Sequence, residues 1–201
     1  YRTEGLASLL KSGFTKLSQF IFTSNHAMWF KRDLGKRIVA STTQISVYVE
    51  FEKRNKTLQW IKSLGKEWMY NNKEIDTAIK ENHIIASVNY QKKIIGYIKL
   101  GFNKVFIQDF QKVISFSPEK AFIYDTYVLP EFRGLGVAPY LITESMKYIK
   151  KKGFHQLVCH IPIWNTASIN AYKKVGFEAV KDIRFAKILG LRLFSSRPEK
   201  I

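Results

Sequence analysis

The sequence predicts a mixed α/β domain, and three of its features carry that expectation. Residues 121–129 and 156–163 are strand-like runs joined by a helical pattern, the form of a right-handed parallel crossover. Residues 83–90 and 93–101 are β-rich runs with only Gln91 and Lys92 between them, the form of a hairpin. Across 201 residues, 46% hydrophobic and 14% aromatic content is enough apolar material for one full core.

Taken in order, residues 4–22 place Leu6, Leu9, Leu10, Phe14, Leu17 and Ile21 at helical spacing against a polar face, an amphipathic helix. Residues 45–52 alternate apolar and polar side chains as a half-buried strand does, and 58–70 and 74–79 return to a helical period. The hairpin 83–101 follows, without the Asn-Gly or Asp-Gly that favours a tight turn. The stretch 102–120, with Phe102, Phe106, Phe110 and Phe116 among polar residues, is expected to be an irregular insertion placed to cover a substrate cleft. The strand 121–129 stops at Pro130, which cannot donate to a central ladder. Ala138, Leu141, Ile142, Ser145, Tyr148 and Ile149 then share one helical face, with Gly153 at the left-handed C-terminal position. After the strand 156–163, Asn165 or Thr166 caps a short helix that Gly176 ends. The remainder is short, basic and β-like. The expected division is a helix and lead-in over 1–44 and a single globular domain over 45–201.

The formal net charge of +17 calls for anionic partners and speaks to association, not fold. One cysteine, Cys159, cannot form an internal disulfide, so a reducing, cytoplasmic setting is expected. No apolar run approaches the roughly 20 residues of a spanning helix. The chain opens on Tyr1, which leaves open what precedes it. Four histidines show no metal-ligand spacing, so no metal site is expected. Cys159 has no partner base in the pattern and reads as a buried strand thiol.

Arg133-Gly134-Leu135-Gly136-Val137-Ala138 stands between a strand and a helix. Glycines there let backbone N–H groups meet a ligand without side-chain obstruction, where the helix dipole also favours an anion. By itself, Arg-Gly-x-Gly is equally compatible with a tight turn carrying an exposed Arg. Its surroundings make it specific: Val128 through Ala138 resembles the cofactor loop, Arg/Gln-x-x-Gly-x-Gly/Ala, of the GNAT superfamily of acyl-CoA N-acyltransferases, with Arg133, Gly136 and Ala138 at the fixed positions. Residues 165–177 resemble that family's Asn-x-x-Ala/Ser-x-x-x-Tyr-x-x-x-Gly-Phe segment, in register. The resemblance is good from about Ile84 to Asp182, looser back to Ile45 and absent from the first forty residues. Pro139 departs from it, at a first-turn position where a missing N–H is tolerated.

The resemblance implies a mostly antiparallel sheet with one parallel pair, 121–129 and 156–163, splayed at a bulge to admit the pantetheine arm of acetyl-CoA. It implies that Arg133, Gly134, Leu135, Gly136, Val137 and Ala138 hold the pyrophosphate, and that an N–H near Tyr127 or Val128 meets the thioester carbonyl. It further implies that Asn165 contacts the pantetheine, that Tyr172 protonates the leaving thiolate, and that an amine attacks directly. Asp125, three residues before Val128, is the candidate proton acceptor, expected to be partly desolvated amid Ile123, Tyr124 and Tyr127. His160 is the runner-up base. Bland alternatives stand beside each: Tyr172 as a core residue, Asn165 as an N-cap, Asp125 as a surface carboxylate paired with a lysine.

Two other readings remain open. A relative of the same fold takes longer acyl chains from acyl-CoA or acyl carrier protein. A different class reads the charge as a binding surface: residues 1–40 hold seven Lys/Arg against two acids and 181–201 hold six against two, the composition of segments that lie peripherally on anionic membrane. No nucleic-acid motif accompanies the charge. The acceptor and a homodimer are left open.

Overall fold

The computed structural model describes residues 22–51, 54–65, 72–188 and 191–194. Its elements in chain order are β1 (Phe22–Asp33), β2 (Tyr48–Glu50), α1 (Arg54–Ser63), α2 (Asn72–Lys80), β3 (Ile84–Tyr90), β4 (Lys93–Gly101), β5 (Lys104–Ile107), β6 (Lys112–Ser115), β7 (Lys120–Val128), α3 (Val137–Lys151), β8 (Gln156–Pro162), α4 (Thr166–Lys174), β9 (Glu178–Ile188) and β10 (Leu191–Phe194). Eight strands form one sheet in the order β10-β9-β1-β8-β7-β4-β3-β2. Every neighbouring pair is antiparallel except β7 and β8.

The sheet begins ahead of the boundary expected at residue 45. Strand β1, in the stretch read as lead-in, lies between β8 and β9. Met28 and Phe30 pack on one face while Ala27 and Trp29 pack on the other, so it is buried on both sides. The amphipathic helix expected over 4–22 and the end of the helix expected over 58–70 lie outside the described residues.

The first face is covered by α3 and α4, whose Val137, Leu141, Ile142, Met146, Ile149 and Tyr172 close over Phe30, Leu100, Ile123 and Cys159. The second face is covered by α1 and α2, through Leu58, Ile61 and Ile75 against Tyr97 and Tyr127, and by the stretch 102–116. That stretch is a correction to the expected irregular insertion. It is a β5–β6 hairpin around a short 3-10 turn at Gln108–Phe110. Val105, Ile107, Phe110 and Ile114 are buried against Trp29, Phe122 and Val158.

The β3–β4 turn also differs from the usual chemistry. Gln91 and Lys92 take φ of 48° and 64°, the two positive values of a type I′ turn, without a glycine. The antiparallel register, from Ile84 opposite Leu100 to Tyr90 opposite Lys93, imposes that conformation. Elsewhere the expected caps hold: Gly153 and Gly176 carry φ of 90° and 86° just past α3 and α4.

Trp29 is fully buried between the hairpin and the sheet. Trp29→Ala is therefore expected to lower stability by about 3–5 kcal/mol in urea denaturation. A loss under about 1 kcal/mol, the size of an ordinary surface substitution, would contradict the central place of β1.

Candidate active site

Strands β7 and β8 pair only over their first four residues, from Lys120 opposite Gln156 to Ile123 opposite Cys159. The reason lies on the other edge of β7. Against β4, Leu100 faces Ile123 and Lys99 faces Asp125, so Tyr124 is an extra residue with no partner, a β-bulge. The bulge also reverses the alternation of side chains. Ala121 and Ile123 face α3, but beyond the bulge it is Val128 that does so, while Tyr127 faces α1 and α2. The strand is bent, its pairing with β8 stops, and a gap opens.

The gap is a cleft of about 680 Å³. Asp125, Tyr127, Val128, Arg133, Gly134, Gly136, Val137, Ala138, Asn165 and Tyr172, all singled out in the sequence, line it. Leu135 is the exception. Its side chain packs on the main core and its carbonyl accepts the Gln44 N–H at 3.0 Å.

The loop at the head of the cleft is shaped by its glycines. Gly134 and Gly136 take φ of 79° and 81°, in the left-handed region that side chains resist. A Cβ on Gly136 would in addition sit 2.6 Å from the Thr42 carbonyl oxygen. Gly136 is the N-cap of α3, with no side chain capping it. The first N–H groups of a helix lack intrahelical acceptors, so this terminus offers donors and the positive end of a dipole to an anion. Arg133 folds beside it: its Nε donates to the Val128 carbonyl at 3.0 Å and its guanidinium lies over the Tyr127 ring at 5.6 Å.

Peptide groups alternate in direction along an extended strand. The Leu129 N–H donates to the Ile95 carbonyl of β4 at 2.9 Å. The Val128 N–H therefore points to the opposite edge, into the gap. Across it, the Tyr172 phenol and the Thr126 hydroxyl share a hydrogen bond of 2.9 Å. Tyr172 is 3% exposed and burial holds its phenol well above the ordinary value, so it keeps its proton. Asn165 caps α4: its Oδ1 accepts the Ser168 N–H at 3.1 Å.

Asp125 belongs to a buried polar cluster. Its Oδ2 accepts from the Tyr97 phenol and from Lys99 Nζ at 3.1 Å, and Lys99 Nζ also reaches Glu74 Oε1 of α2 at 2.7 Å. The pairing partner is thus a buried lysine on the neighbouring strand, where a surface carboxylate paired with a lysine was the alternative expectation. Lys99 is 1% exposed. Burial alone would pull its ammonium down, and the Asp125 and Glu74 carboxylates more than reverse that, so it stays charged above its ordinary value. Cys159 is buried and its thiol is pushed well up by burial, which leaves it unreactive.

A second recess, of about 130 Å³, shares Asp125, Thr126, Asn165, Ser168 and Tyr172 with the cleft. Its far wall carries His160 and Asp109, whose Nε2 and Oδ2 are 2.8 Å apart. Sequence reasoning missed Asp109, which lies in the 3-10 turn of the hairpin, and Glu74 and Lys99, whose burial no local pattern announced. It also missed Trp164, 75% exposed on the cleft wall. Among the described residues no group of three His, Cys, Asp or Glu is disposed to hold a metal ion, and no helix is long and apolar enough to cross a membrane.

A split parallel pair with a glycine loop over the gap is the arrangement the sequence resemblance implied. Residues 49–177 match the Acetyltransferase (GNAT) family. The chain belongs to this family. It is 37% identical over 60 residues to an uncharacterized N-acetyltransferase of Methanocaldococcus jannaschii, which covers 30% of this chain and only 26% of that protein. It is 26% identical over 149 residues to the N-alpha-acetyltransferase of Sulfurisphaera tokodaii, covering 60% of this chain and 86% of the relative. Its fold is similar to that of AAC(6')-Iy, solved in complex with the bisubstrate analog CoA-S-monomethyl-acetylneamine. The TM-score is 0.53 at 16% identity, over 68% of this chain and 93% of that one.

The polar cluster generates its own prediction for this GNAT protein. Lys99→Met removes the cation between buried Glu74 and half-buried Asp125, and breaking such a pair costs about 3–5 kcal/mol. Chemical denaturation should show that loss. A variant as stable as the parent would mean that the cluster is not held as described.

Proposed function

We propose that the protein transfers an acetyl group from acetyl-CoA to a primary amine by direct attack. The observation that carries this reading is the gap between β7 and β8 with the uncapped terminus of α3 at its head. In support, AAC(6')-Iy, of similar fold, was solved with a CoA-based bisubstrate analog, and the Sulfurisphaera relative is named an N-alpha-acetyltransferase.

On this reading the pyrophosphate sits against the backbone N–H groups of Gly134 to Ala138, with the Arg133 cation beside them. The pantetheine runs along the free edge of β7 past Asn165, whose Oδ1 is already engaged as a cap and whose amide N–H₂ remains to donate. The Val128 N–H, turned into the gap, donates to the thioester oxygen as it becomes an oxyanion. The amine nitrogen bonds to the carbonyl carbon. The C–S bond then breaks, Tyr172 gives its proton to the sulfur, and the amide is released. No covalent enzyme intermediate forms.

The nitrogen must also lose a proton, and Asp125 takes it. Lys99 and Tyr97 both engage Oδ2, which leaves Oδ1 to receive it. A carboxylate suffices here, because the nitrogen of the tetrahedral adduct is far more acidic than a free ammonium group.

Tyr172→Phe removes the proton donor from a buried ring without changing its shape. Turnover should fall about 100-fold, the lower range of an acid–base contribution, with acetyl-CoA affinity kept within about twofold. Gly136→Val should abolish acetyl-CoA binding in isothermal titration. If both variants bind and turn over as the parent does, the acetyltransferase reading fails.

A further inference from the structure

The two cavities differ in charge. The cleft wall includes Arg133 and Lys174 beside the shared Asp125. The recess wall includes Asp109 and Asp125 and neither lysine nor arginine. In a chain of net charge +17, an acidic recess that opens onto the cleft at Thr126 and Tyr172 is a local exception to the field of the whole protein.

The two carboxylates are not equivalent. Asp125 is tied to Lys99 and Tyr97, so its charge is largely met inside the protein. Asp109 stands at the recess with 39% of its side chain exposed, backed by one group, His160, whose side chain is 6% exposed. The His160 ring stacks on Phe122 at an interplanar angle of 4° and lies 5.1 Å from Phe110, which fixes its orientation. His160 Nδ1 is buried with no hydrogen-bond partner. A proton there would be an unsatisfied buried donor, so the ring directs an Nε2–H at Asp109 and donates to it. Burial pushes the Asp109 carboxyl up, and the hydrogen bond from His160 more than offsets it, leaving the group below its ordinary value. Asp109 is thus an ionised, oriented carboxylate with room for a ligand, on the acceptor side of the transfer.

We infer that Asp109, positioned by His160, selects the acceptor as a cation: a primary ammonium enters the recess, is held by this carboxylate next to Asp125, and gives one proton to water at the exposed face of Asp109 to become the attacking amine, while the second proton leaves the adduct for Asp125. The inference rests on the acetyl-transfer reading and adds to it the charge of the acceptor. A recess of about 130 Å³ that opens onto the cleft has room for the end of an alkylammonium chain. It also gives the β5–β6 hairpin its part in the site, since that hairpin brings Asp109 to the recess.

The test uses the whole protein, acetyl-CoA and two acceptors of equal size, propylamine, cationic near neutral pH, and ethoxyamine, neutral there. Asp109→Asn should raise KM for propylamine about 10- to 100-fold, the worth of a hydrogen bond to a charged group, and leave KM for ethoxyamine unchanged. His160→Phe, which keeps the ring stack, should reproduce that selective loss, whereas a merely structural role would move both acceptors together. Acetyl-CoA affinity, measured alongside by isothermal titration, should be unchanged in both variants. Equal effects on the two amines, no effect on either, or no acetylation of either by a parent protein that binds acetyl-CoA would overturn the inference and leave the donor reading standing. A parent protein that does not bind acetyl-CoA would overturn the donor reading, and the inference with it.

Discussion

One unpaired residue, Tyr124, organises the site. A strand that pairs regularly on both edges has no backbone group to offer a ligand, because its N–H and C=O groups are all spent in the ladder. The bulge at Tyr124 lets β7 keep β4 through to Val128 while it loses β8 after Ile123. It also inverts the phase of the side chains, so that Asp125 turns toward Lys99 and Glu74 while Thr126 meets Tyr172 on the other side. The cleft, its free backbone edge and the polar groups on its two sides thus have one geometric origin.

The rest of the structure holds that opening in place. Strand β1 pairs along the outer edge of β8 from Gln156 to Pro162 and keeps it extended where β7 has left it. Arg32 of β1 ties in the end of α4 by donating to the Gly176 carbonyl at 3.3 Å and to the Arg37 carbonyl at 2.7 Å. The segment before β2 supports the glycine loop, with Thr42 against Gly136 and the Gln44 N–H on the Leu135 carbonyl. Buried Lys99 has a comparable part on the second face. A charge there is costly unless fully paired, and two carboxylates from different elements pair it, which joins α2 to the bulged strand.

How far the sequence disclosed this follows from how each element is buried. The hairpin 84–101, the helix over 137–151 and the pair β7 and β8 were legible because their apolar patterns are bounded by Pro130, Gly153 or a two-residue turn. The glycine loop before α3 was legible because its glycines stand where left-handed conformations are needed. Strand β1 was not. Buried on both faces at Ala27 to Phe30, it has no alternation, only a short apolar run between polar flanks. The β5–β6 hairpin was hidden for another reason: its turns use Asn103 and Gln111 at φ of 60° and 49°, so no glycine marks them. That concealment cost the reading Asp109, whereas His160, on a visible strand, was noticed without the partner that orients it. Tyr172 and Asn165 could be placed by register, but only the structure distinguishes their contacts, a hydrogen bond with Thr126 for one and a helix cap for the other.

The most direct measurement of whether the opened strand receives the donor is a titration of the ¹⁵N-labelled protein with acetyl-CoA, followed amide by amide. On this account the largest shifts fall on Val128 and on Gly134, Gly136 and Ala138, with Lys120 to Phe122, still paired to β8, nearly unmoved. Saturable binding that leaves the Val128 and Gly136 amides unshifted would contradict it.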